Sequence, residues 1–343
     1  MLGPSGRAGA EGGLSMLVLD QVTAGYHRRS LRAGRERTTV VHEVDLRVEA
    51  GEIVALVGES GCGKSTLART VVGLHRPFSG QVRLDGADVH RLRAGERRTF
   101  RREVQMIFQD PFLPLSPRLP VGRAVAEPLE IHRVGSRASR RCRVAELLEL
   151  VGLGNDLTDR LPRDLSGGQR QRVAIARALA VEPRLLICDE PVTALDVSVQ
   201  AKVLNLLRDL CESLGLACLF IAHDLAVVCQ LADRVAVMYL GRIIEQAPTT
   251  LLTGHPRHPY TQALLAAVPR LAAGRPVPPP LPGEPAAPGT GLTGCAFQPR
   301  CARREPRCLR ERPQLDPISP QHLVACHVPA PARMPATPSR RAP

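Results

Sequence analysis

Short apolar runs, each long enough for a single strand, recur along this chain and alternate with stretches of helical periodicity. Apolar runs of this kind are typical of parallel strands that are buried on both faces. The main runs are Ile53–Val57, Val104–Phe108, Leu185–Cys188 and Ala217–Ala222. Two hairpins are also indicated, one with its turn at Asp85-Gly86 and one around Gly241. The pattern therefore predicts an α/β fold.

Two segments interrupt this pattern. Residues 27–39 are rich in Arg and Gly and predict a solvated loop. Residues 111–135 hold five prolines and predict a second loop before helical sequence, and a helix-rich part is expected over roughly 123–163. The first 15 residues are expected to be disordered, with Met16 as a second possible start. The proline-rich stretch 271–289 is expected to be a semi-rigid linker.

A glycine-rich segment follows the first apolar run and matches the pattern G-x-x-x-x-G-K-[ST]. Its glycines would let successive N–H groups converge on phosphate oxygens, and the following helix N-terminus adds partial positive charge. We expect Lys64 to reach the β- and γ-phosphates and the Ser65 hydroxyl to ligate Mg²⁺. An ordinary glycine turn is the alternative. The segment consists of Gly58, Glu59, Ser60, Gly61, Cys62, Gly63, Lys64, Ser65 and Thr66.

Polar side chains follow the other three runs, where ligands collect in open α/β sheets. Asp189 is placed to hold Mg²⁺, and Glu190, one residue on, is the candidate general base for an attacking water. Gln109 can bridge the Mg²⁺ and that water, and His223 can donate to the γ-phosphate. Taken singly, each residue could be an ordinary strand end or helix cap. Because these residues occur together, in this order, in a chain that also has a phosphate loop, the pattern favours a catalytic role.

A second glycine pair, Gly167-Gly168, opens an Ala- and Leu-rich helix. Ser166 can cap this helix, and the glycines leave its first amides unshielded by side chains. A helix end of this kind can bind an anion. A routine N-terminal cap is the alternative reading of these residues alone.

Composition narrows the function classes. The chain has 343 residues and a net charge of +13, concentrated in residues 1–40 and 271–343. No Arg run is interleaved with aromatic residues, so nucleic acid is not the expected partner. No uncharged apolar stretch approaches the ~18 residues of a membrane helix, and the N-terminus lacks a signal-peptide core. We therefore expect a cytoplasmic protein whose ten cysteines are thiols or metal ligands.

These motifs together closely resemble the nucleotide-binding subunits of ABC transporters. The resemblance covers most of residues 16–265 and includes the signature Leu165–Gln169, the segment Ala194–Asp196 and the switch residue His223. It implies a P-loop NTPase of the ABC type, with a mixed sheet core, an antiparallel β subdomain and an α-helical subdomain at about 110–170. It also implies ATP and Mg²⁺ as ligands and hydrolysis by Glu190, Gln109 and His223.

The resemblance further implies a head-to-tail dimer in which Ser166, Gly168 and Gln169 of one chain face the nucleotide of the other. Tyr26 matches the aromatic residue that stacks on adenine in this family. A core position at a strand end is the alternative for Tyr26. The subfamily suggests that the second ATPase subunit is a paralogue.

A closer resemblance is to the ATP-binding subunits of oligopeptide and dipeptide importers. It is carried by residues 105–111 and 189–200, and by two tail segments, His258–Leu265 and Gly294–Cys301. It implies a peripheral subunit at the cytoplasmic face of the inner membrane. Two integral permease subunits and, indirectly, an extracytoplasmic solute-binding protein would be its partners. Import of nickel complexes or another small solute, or a non-transport ABC ATPase, is the alternative.

In such importers the segment after Gln109 receives a helix of the permease, and here residues 112–117 carry prolines at unusual positions. The tail holds four cysteines, Cys295, Cys301, Cys308 and Cys326. Their spacing is compatible with a four-thiolate site for zinc or for an iron–sulfur cluster, and the resemblance implies a [4Fe–4S] cluster. Reduced thiols are the alternative. We expect an ATPase domain over 16–270 and a linker with a cysteine-containing extension over 271–343.

Overall fold

The computed structural model describes residues 16–30, 34–110, 115–268, 283 and 293–331. The expected disorder of residues 1–15, most of the linker and part of the proposed permease contact lie outside these residues. In chain order the strands are β1 (Leu17–Ser30), β2 (Gly34–Val48), β3 (Ile53–Val57), β4 (Ser79–Leu84), β5 (Ala87–Asp88), β6 (Val104–Ile107), β7 (Leu185–Asp189), β8 (Ala217–Ala222), β9 (Arg234–Tyr239), β10 (Arg242–Pro248), β11 (Asp316–Ser319) and β12 (His322–Val324).

Ten α-helices and three short 3₁₀ turns are present within the described residues. The 3₁₀ turns are Asn155–Leu157, Pro162–Asp164 and Gln298–Arg300. The helices are α1 (Lys64–Val71), α2 (Ala94–Glu103), α3 (Val121–His132), α4 (Arg137–Leu150), α5 (Gly167–Leu179), α6 (Val197–Leu214), α7 (Leu225–Val228), α8 (Thr249–Gly254), α9 (Pro259–Ala267) and α10 (Pro306–Arg310). None of the helices in the described parts of the chain has the length and apolar composition needed to cross a membrane.

The strands form two sheets. A four-stranded antiparallel sheet has the order β2-β1-β4-β5, and an eight-stranded sheet has the order β11-β12-β10-β9-β3-β8-β7-β6. Strands β6, β7, β8, β3 and β9 are parallel, and the remaining strands of the larger sheet are antiparallel. The predicted α/β fold with a mixed sheet, an antiparallel β part and a helical part is confirmed.

Two hydrophobic layers lie on either side of the larger sheet, because successive side chains of a strand point to opposite faces. In β3, Val54 and Leu56 pack with the antiparallel sheet and α1. Ile53, Ala55 and Val57 pack instead with the layer that contains α3, α4, α5 and α6. All five residues are buried, as their uninterrupted apolar run predicts. The central strand therefore fixes the phosphate loop between two cores.

Two predicted loops are wrong within the described residues. Residues 27–30 continue β1 and residues 34–39 continue β2, and the two strands pair antiparallel, with His27 opposite Arg37. Within 111–135, residues 121–132 form α3 with Pro128 inside it, which agrees with the helix-rich part expected from about residue 123 and contradicts the loop that overlapped it. Buried Val121, Val125 and Leu129 recur at helical spacing, and this apolar face outweighs the lost N–H of the proline. The pattern also did not indicate α2, which buries only Phe100.

The C-terminal extension joins the larger sheet. Strand β12 pairs antiparallel with β10, with Val324 opposite Glu245 and Leu323 opposite Gln246, and β11 forms the sheet edge. Glu245 is fully buried and accepts hydrogen bonds from the backbone N–H of His258 and from the His322 imidazole at 2.7 Å. A buried carboxylate needs such donors, so these contacts fasten the extension to the ATPase part.

Candidate functional site

The phosphate loop joins β3 to α1 at the centre of the larger sheet, where β3 pairs with β8 on one side and β9 on the other. Gly63 is the N-cap of α1 with φ of 109°, a conformation that glycine adopts readily, and no side chain caps the helix. The first amides of α1 therefore stay available, as an anion-binding helix end requires. All nine residues from Gly58 to Thr66 lie in this loop and the first turn of α1.

Lys64 is buried and lies across its own loop. Its Nζ donates to the carbonyl oxygens of Gly58 at 2.7 Å and Glu59 at 3.0 Å. The same Nζ lies 3.7 Å from Oε1 of Glu190. This ion pair gives Glu190 a basic neighbour that its sequence surroundings did not show.

Ser65 and Asp189 form an oxygen pair beside the loop. The Ser65 hydroxyl donates to Oδ1 of Asp189 at 2.9 Å. Burial raises the pKa of Asp189, and the Ser65 hydrogen bond opposes that shift. A hydroxyl and a carboxylate in contact are the hard oxygen donors that Mg²⁺ prefers, so these residues fit such an ion.

Glu190 is the meeting point of the predicted catalytic residues. Its Oε2 lies 3.4 Å from Nε2 of Gln109 and 3.4 Å from Nδ1 of His223. The Thr193 hydroxyl, which the sequence did not single out, lies 3.3 Å from the same oxygen. Glu190 has φ of 47°, unusual for a residue with a side chain, and strain of this kind clusters at functional sites.

Tyr26 lies beside the phosphate loop on β1. Its hydroxyl is 2.9 Å from Oγ1 of Thr66, and its ring meets the His75 ring edge-on with centroids 5.3 Å apart. The side chain is 39% exposed. An exposed aromatic ring next to a phosphate loop is compatible with stacking on a base, whereas a core position would be buried.

The signature residues begin α5. Ser166 and Gln169 cap the helix reciprocally: the Ser166 hydroxyl accepts from the Gln169 N–H at 3.3 Å, and Gln169 Oε1 accepts from the Ser166 N–H at 2.9 Å. Ser166 is exposed. A Cβ at Gly168 would lie 2.5 Å from Cγ1 of Val199, so close packing requires glycine there. The helix end is therefore preformed at the surface.

The four tail cysteines lie around one small cavity, together with His258, Phe297 and residues near Cys326. Burial raises the pKa of the thiols of Cys295 and Cys301, and that of Cys326 to about 11. In the described part of the chain, no three histidine, cysteine or acidic side chains are arranged closely enough to hold a single metal ion. The cysteines of the extension thus share a cavity without forming a compact ion site.

Two residues that lie near the phosphate loop were not predicted from the sequence to be part of the site. Arg300, in the extension, contacts the carboxylate of Glu59 at 3.0 Å, and the Tyr260 hydroxyl accepts from the Glu59 N–H at 3.0 Å. Both residues lie in segments that carry the resemblance, but nothing in the sequence pattern indicates that Tyr260 contacts a loop residue 201 positions earlier. Only the folded arrangement brings these groups together.

Comparisons with known proteins agree with this geometry. The family model "ABC transporter" matches residues 41–193, and "Oligopeptide/dipeptide transporter, C-terminal region" matches residues 244–308. A probable peptide ABC transporter ATP-binding protein, y4tS of Sinorhizobium fredii, is 48% identical over 325 residues, covering 93% of this chain and 91% of that relative. A putative oligopeptide transport ATP-binding protein, YkfD of Bacillus subtilis, is 45% identical over 308 residues, covering 86% and 92%.

A solved structure is similar over the ATPase part. It is the dimeric structure of the ATP-binding cassette MJ0796 bound to ADP and Pi, which has 32% identity and a TM-score of 0.61 and covers 68% of this chain and 99% of that one. The chain belongs to the ABC transporter ATP-binding proteins, an ATPase family whose ligands are ATP and Mg²⁺, and carries the oligopeptide/dipeptide transporter C-terminal region.

Proposed function

We propose that this chain hydrolyses ATP to power the import of oligopeptides or dipeptides through separate membrane permease subunits. The observation that carries this function is the joining of an ABC transporter ATPase region to the oligopeptide/dipeptide C-terminal region in one chain. The names of the relatives y4tS and YkfD support the peptide as solute. The contacts of Glu190 with Lys64, Gln109 and His223 support hydrolysis as the reaction.

In the proposed mechanism, Glu190 accepts the proton of the attacking water while Gln109 orients that water by its carboxamide. His223 donates a hydrogen bond to the γ-phosphate, whose charge Lys64 also neutralises. Lys64 therefore exchanges its two loop carbonyl partners for phosphate oxygens. Tyr26 stacks on the adenine ring.

Ser65 and Asp189, with Gln109, would hold Mg²⁺, which when bound neutralises charge on the transferring phosphoryl group. The 2.9 Å contact between Ser65 and Asp189 supports this role, because it already places two oxygen donors side by side. Burial of Asp189 raises its pKa, and a neighbouring divalent cation would favour the ionised carboxylate.

The proposed assembly is a head-to-tail pair of ATPase subunits. Ser166, Gly168 and Gln169 of this chain would face the γ-phosphate bound by the other subunit, which we propose to be a paralogue. The exposed, preformed cap of α5 supports a ligand outside the protomer, and the dimeric MJ0796 structure bound to ADP and Pi offers a precedent. Two permease subunits would place the pair at the cytoplasmic face of the membrane, with a solute-binding protein on the other side.

We also propose that Cys295, Cys301, Cys308 and Cys326 ligate a [4Fe–4S] cluster. Four thiols around one cavity supply the ligand count of such a cluster. A single zinc ion, held by four sulfurs at about 2.3 Å, is the alternative occupant.

The cluster is tested on protein purified without oxygen. About four iron and four sulfide per chain, with visible absorption that disappears on Cys301→Ser, are expected. One zinc per chain, or metal-free protein with iron supplied, would contradict the proposal. Exposed Cys142, changed to Ser, is the matched control and should keep the iron content.

The function is tested by reconstituting the full transporter in vesicles. Copurification of this chain with two integral membrane subunits is expected, and a mixture of short peptides should stimulate ATP hydrolysis several-fold when the solute-binding protein is present. Stimulation by nickel complexes but not by peptides would overturn the proposed solute. Recovery of the chain without membrane subunits would overturn the transport function.

A further inference from the structure

Two groups from distant parts of the chain, together with the loop's own Lys64, contact one phosphate-loop residue, Glu59. Nη1 of Arg300 lies 3.1 and 3.0 Å from the two carboxylate oxygens of Glu59. The Tyr260 hydroxyl accepts from the Glu59 N–H at 3.0 Å, and Lys64 donates to the Glu59 carbonyl at 3.0 Å. The carboxylate, the amide N–H and the carbonyl oxygen of Glu59 therefore each have a partner within the protein.

The two outer contacts come from the C-terminal part of the chain. Arg300 ends the 3₁₀ turn Gln298–Arg300 of the extension and is only 8% exposed. Tyr260 lies in α9, is fully buried and packs on Tyr239 and Phe297 with ring centroids 4.7 and 5.6 Å apart. Because Phe297 belongs to the extension, one aromatic cluster positions both the arginine and the tyrosine.

Burial makes the arginine contact specific. A guanidinium withdrawn from water must keep hydrogen-bond acceptors, and here Glu59 and the Tyr239 hydroxyl provide them. Glu59 is the residue after Gly58, where β3 ends and the loop begins to curl. Fixing this residue limits the conformations of the loop before nucleotide arrives, and such preorganisation improves affinity.

We propose that Arg300 and Tyr260 are positioning residues for the phosphate loop, so that the C-terminal extension sets the ATP affinity of this chain. The proposal rests on ATP binding by the loop, which the family membership implies. Neither residue needs to touch the nucleotide. They act through Glu59, by holding the loop backbone in the form that receives the phosphates.

The test is the affinity of the full chain for mant-ATP, followed by the fluorescence of the directly excited mant group. Arg300→Gln should weaken binding about 5- to 10-fold and raise the KM for ATP similarly, with kcat at saturating ATP changed less than twofold. Arg300→Lys should recover part of the loss. Tyr260→Phe, which keeps the ring and removes the acceptor, should also weaken binding.

Glu59→Gln breaks the same ion pair by removing the charge of its loop partner. It replaces Arg300→Gln in the test if that variant folds poorly. Combined with Arg300→Gln, it should weaken binding no further than either single change, because both remove one interaction. Arg307→Gln is the matched control, since it breaks an exposed ion pair with Glu311 in the same extension. It should leave mant-ATP affinity unchanged.

Unchanged mant-ATP affinity in folded Arg300→Gln and Glu59→Gln would overturn the proposal, because the contacts would then serve docking of the extension alone. A loss of kcat with unchanged KM would also overturn it. Failure of the unaltered chain to bind mant-ATP would instead overturn ATP binding itself. The two failures are thus distinguishable in one assay.

Discussion

Glu190 lies between a lysine, a glutamine and a histidine, and each contact involves a carboxylate oxygen 3.4 to 3.7 Å away. The sequence predicted the members of this group because each follows an apolar run, and parallel strands end at one edge of a sheet. It could not predict the left-handed backbone of Glu190 or the hydroxyl of Thr193, since both depend on how the turn after β7 is packed.

The first prediction concerns Glu190→Gln. A carboxamide keeps the shape of the side chain but cannot accept the proton of water, so hydrolysis should fall at least about 100-fold. ATP affinity should change little, because Lys64 and the loop amides remain. Phosphate release and mant-ATP binding, measured on the same preparation, check this. If the variant kept more than a tenth of the activity, Glu190 would not be the general base.

Gly168 gives a second prediction at this scale. A Cβ there would lie 2.5 Å from Cγ1 of Val199, a stiff β-branched side chain, so Gly168→Ala should destabilise the fold by about 1–3 kcal/mol. Urea unfolding of Gly168→Ala and of the double variant with Val199→Ala measures the effect. With Val199 shortened, the same alanine should be neutral or stabilising because alanine favours helices. Equal destabilisation in both backgrounds would exclude this contact as the cause.

At the scale of elements, the central strands and the hairpins at Gly86 and Gly241 were predictable because their patterns are local. The two wrong loops show where local pattern fails. Residues 27–39 lack apolar alternation, yet each arm of the hairpin is held by its partner strand. In α3, the tertiary packing of an apolar face stabilises the helix although Pro128 lies inside it.

The N-terminus of α9 gives a prediction on pH. His258 caps this helix, and burial lowers its pKa from 6.5 to about 4. The His258 imidazole therefore takes up a proton below about pH 6.5 in the unfolded chain but only near pH 4 in the folded chain. Stability is fully present above pH 6.5 and is lost as pH falls, by about 3 kcal/mol in total.

His258→Asn should keep the cap, because its side-chain oxygen can accept from the Tyr260 N–H, and should remove this pH dependence. Urea midpoints at pH 7.5 and pH 5 for both proteins give the comparison. The contact between nearby Glu245 and His322 is the same in both proteins, so the difference between them isolates His258. Identical pH dependence would contradict the buried, neutral state of this imidazole.

At the scale of the whole molecule, the packing of the C-terminal extension on the rest of the chain is the largest feature that the sequence pattern did not predict. Its strands β11 and β12 complete the main sheet, and Arg300 reaches the phosphate loop 241 residues earlier in the chain. Such contacts depend on long-range packing, which periodicity does not encode. The cysteine spacing was visible in the sequence, but the shared cavity appears only in the fold.

The dimer is the other feature of this scale. One protomer presents a phosphate loop at the centre of its sheet and a capped, exposed helix end on α5. The N-terminal end of a helix dipole attracts an anion, and the proposed anion is the γ-phosphate of the neighbouring subunit. Removal of that bridging charge by hydrolysis would let the pair separate.

The most direct measurement is nucleotide trapping with 8-azido-ATP and vanadate in the assembled transporter, followed by separation of the two ATPase subunits. Lys64→Ala in this chain should abolish labelling of this chain. Ser166→Arg in this chain should abolish labelling of the partner subunit and leave this chain labelled. If Ser166→Arg instead abolished labelling of this chain and spared the partner, the signature helix would serve its own phosphate loop and the account would be contradicted.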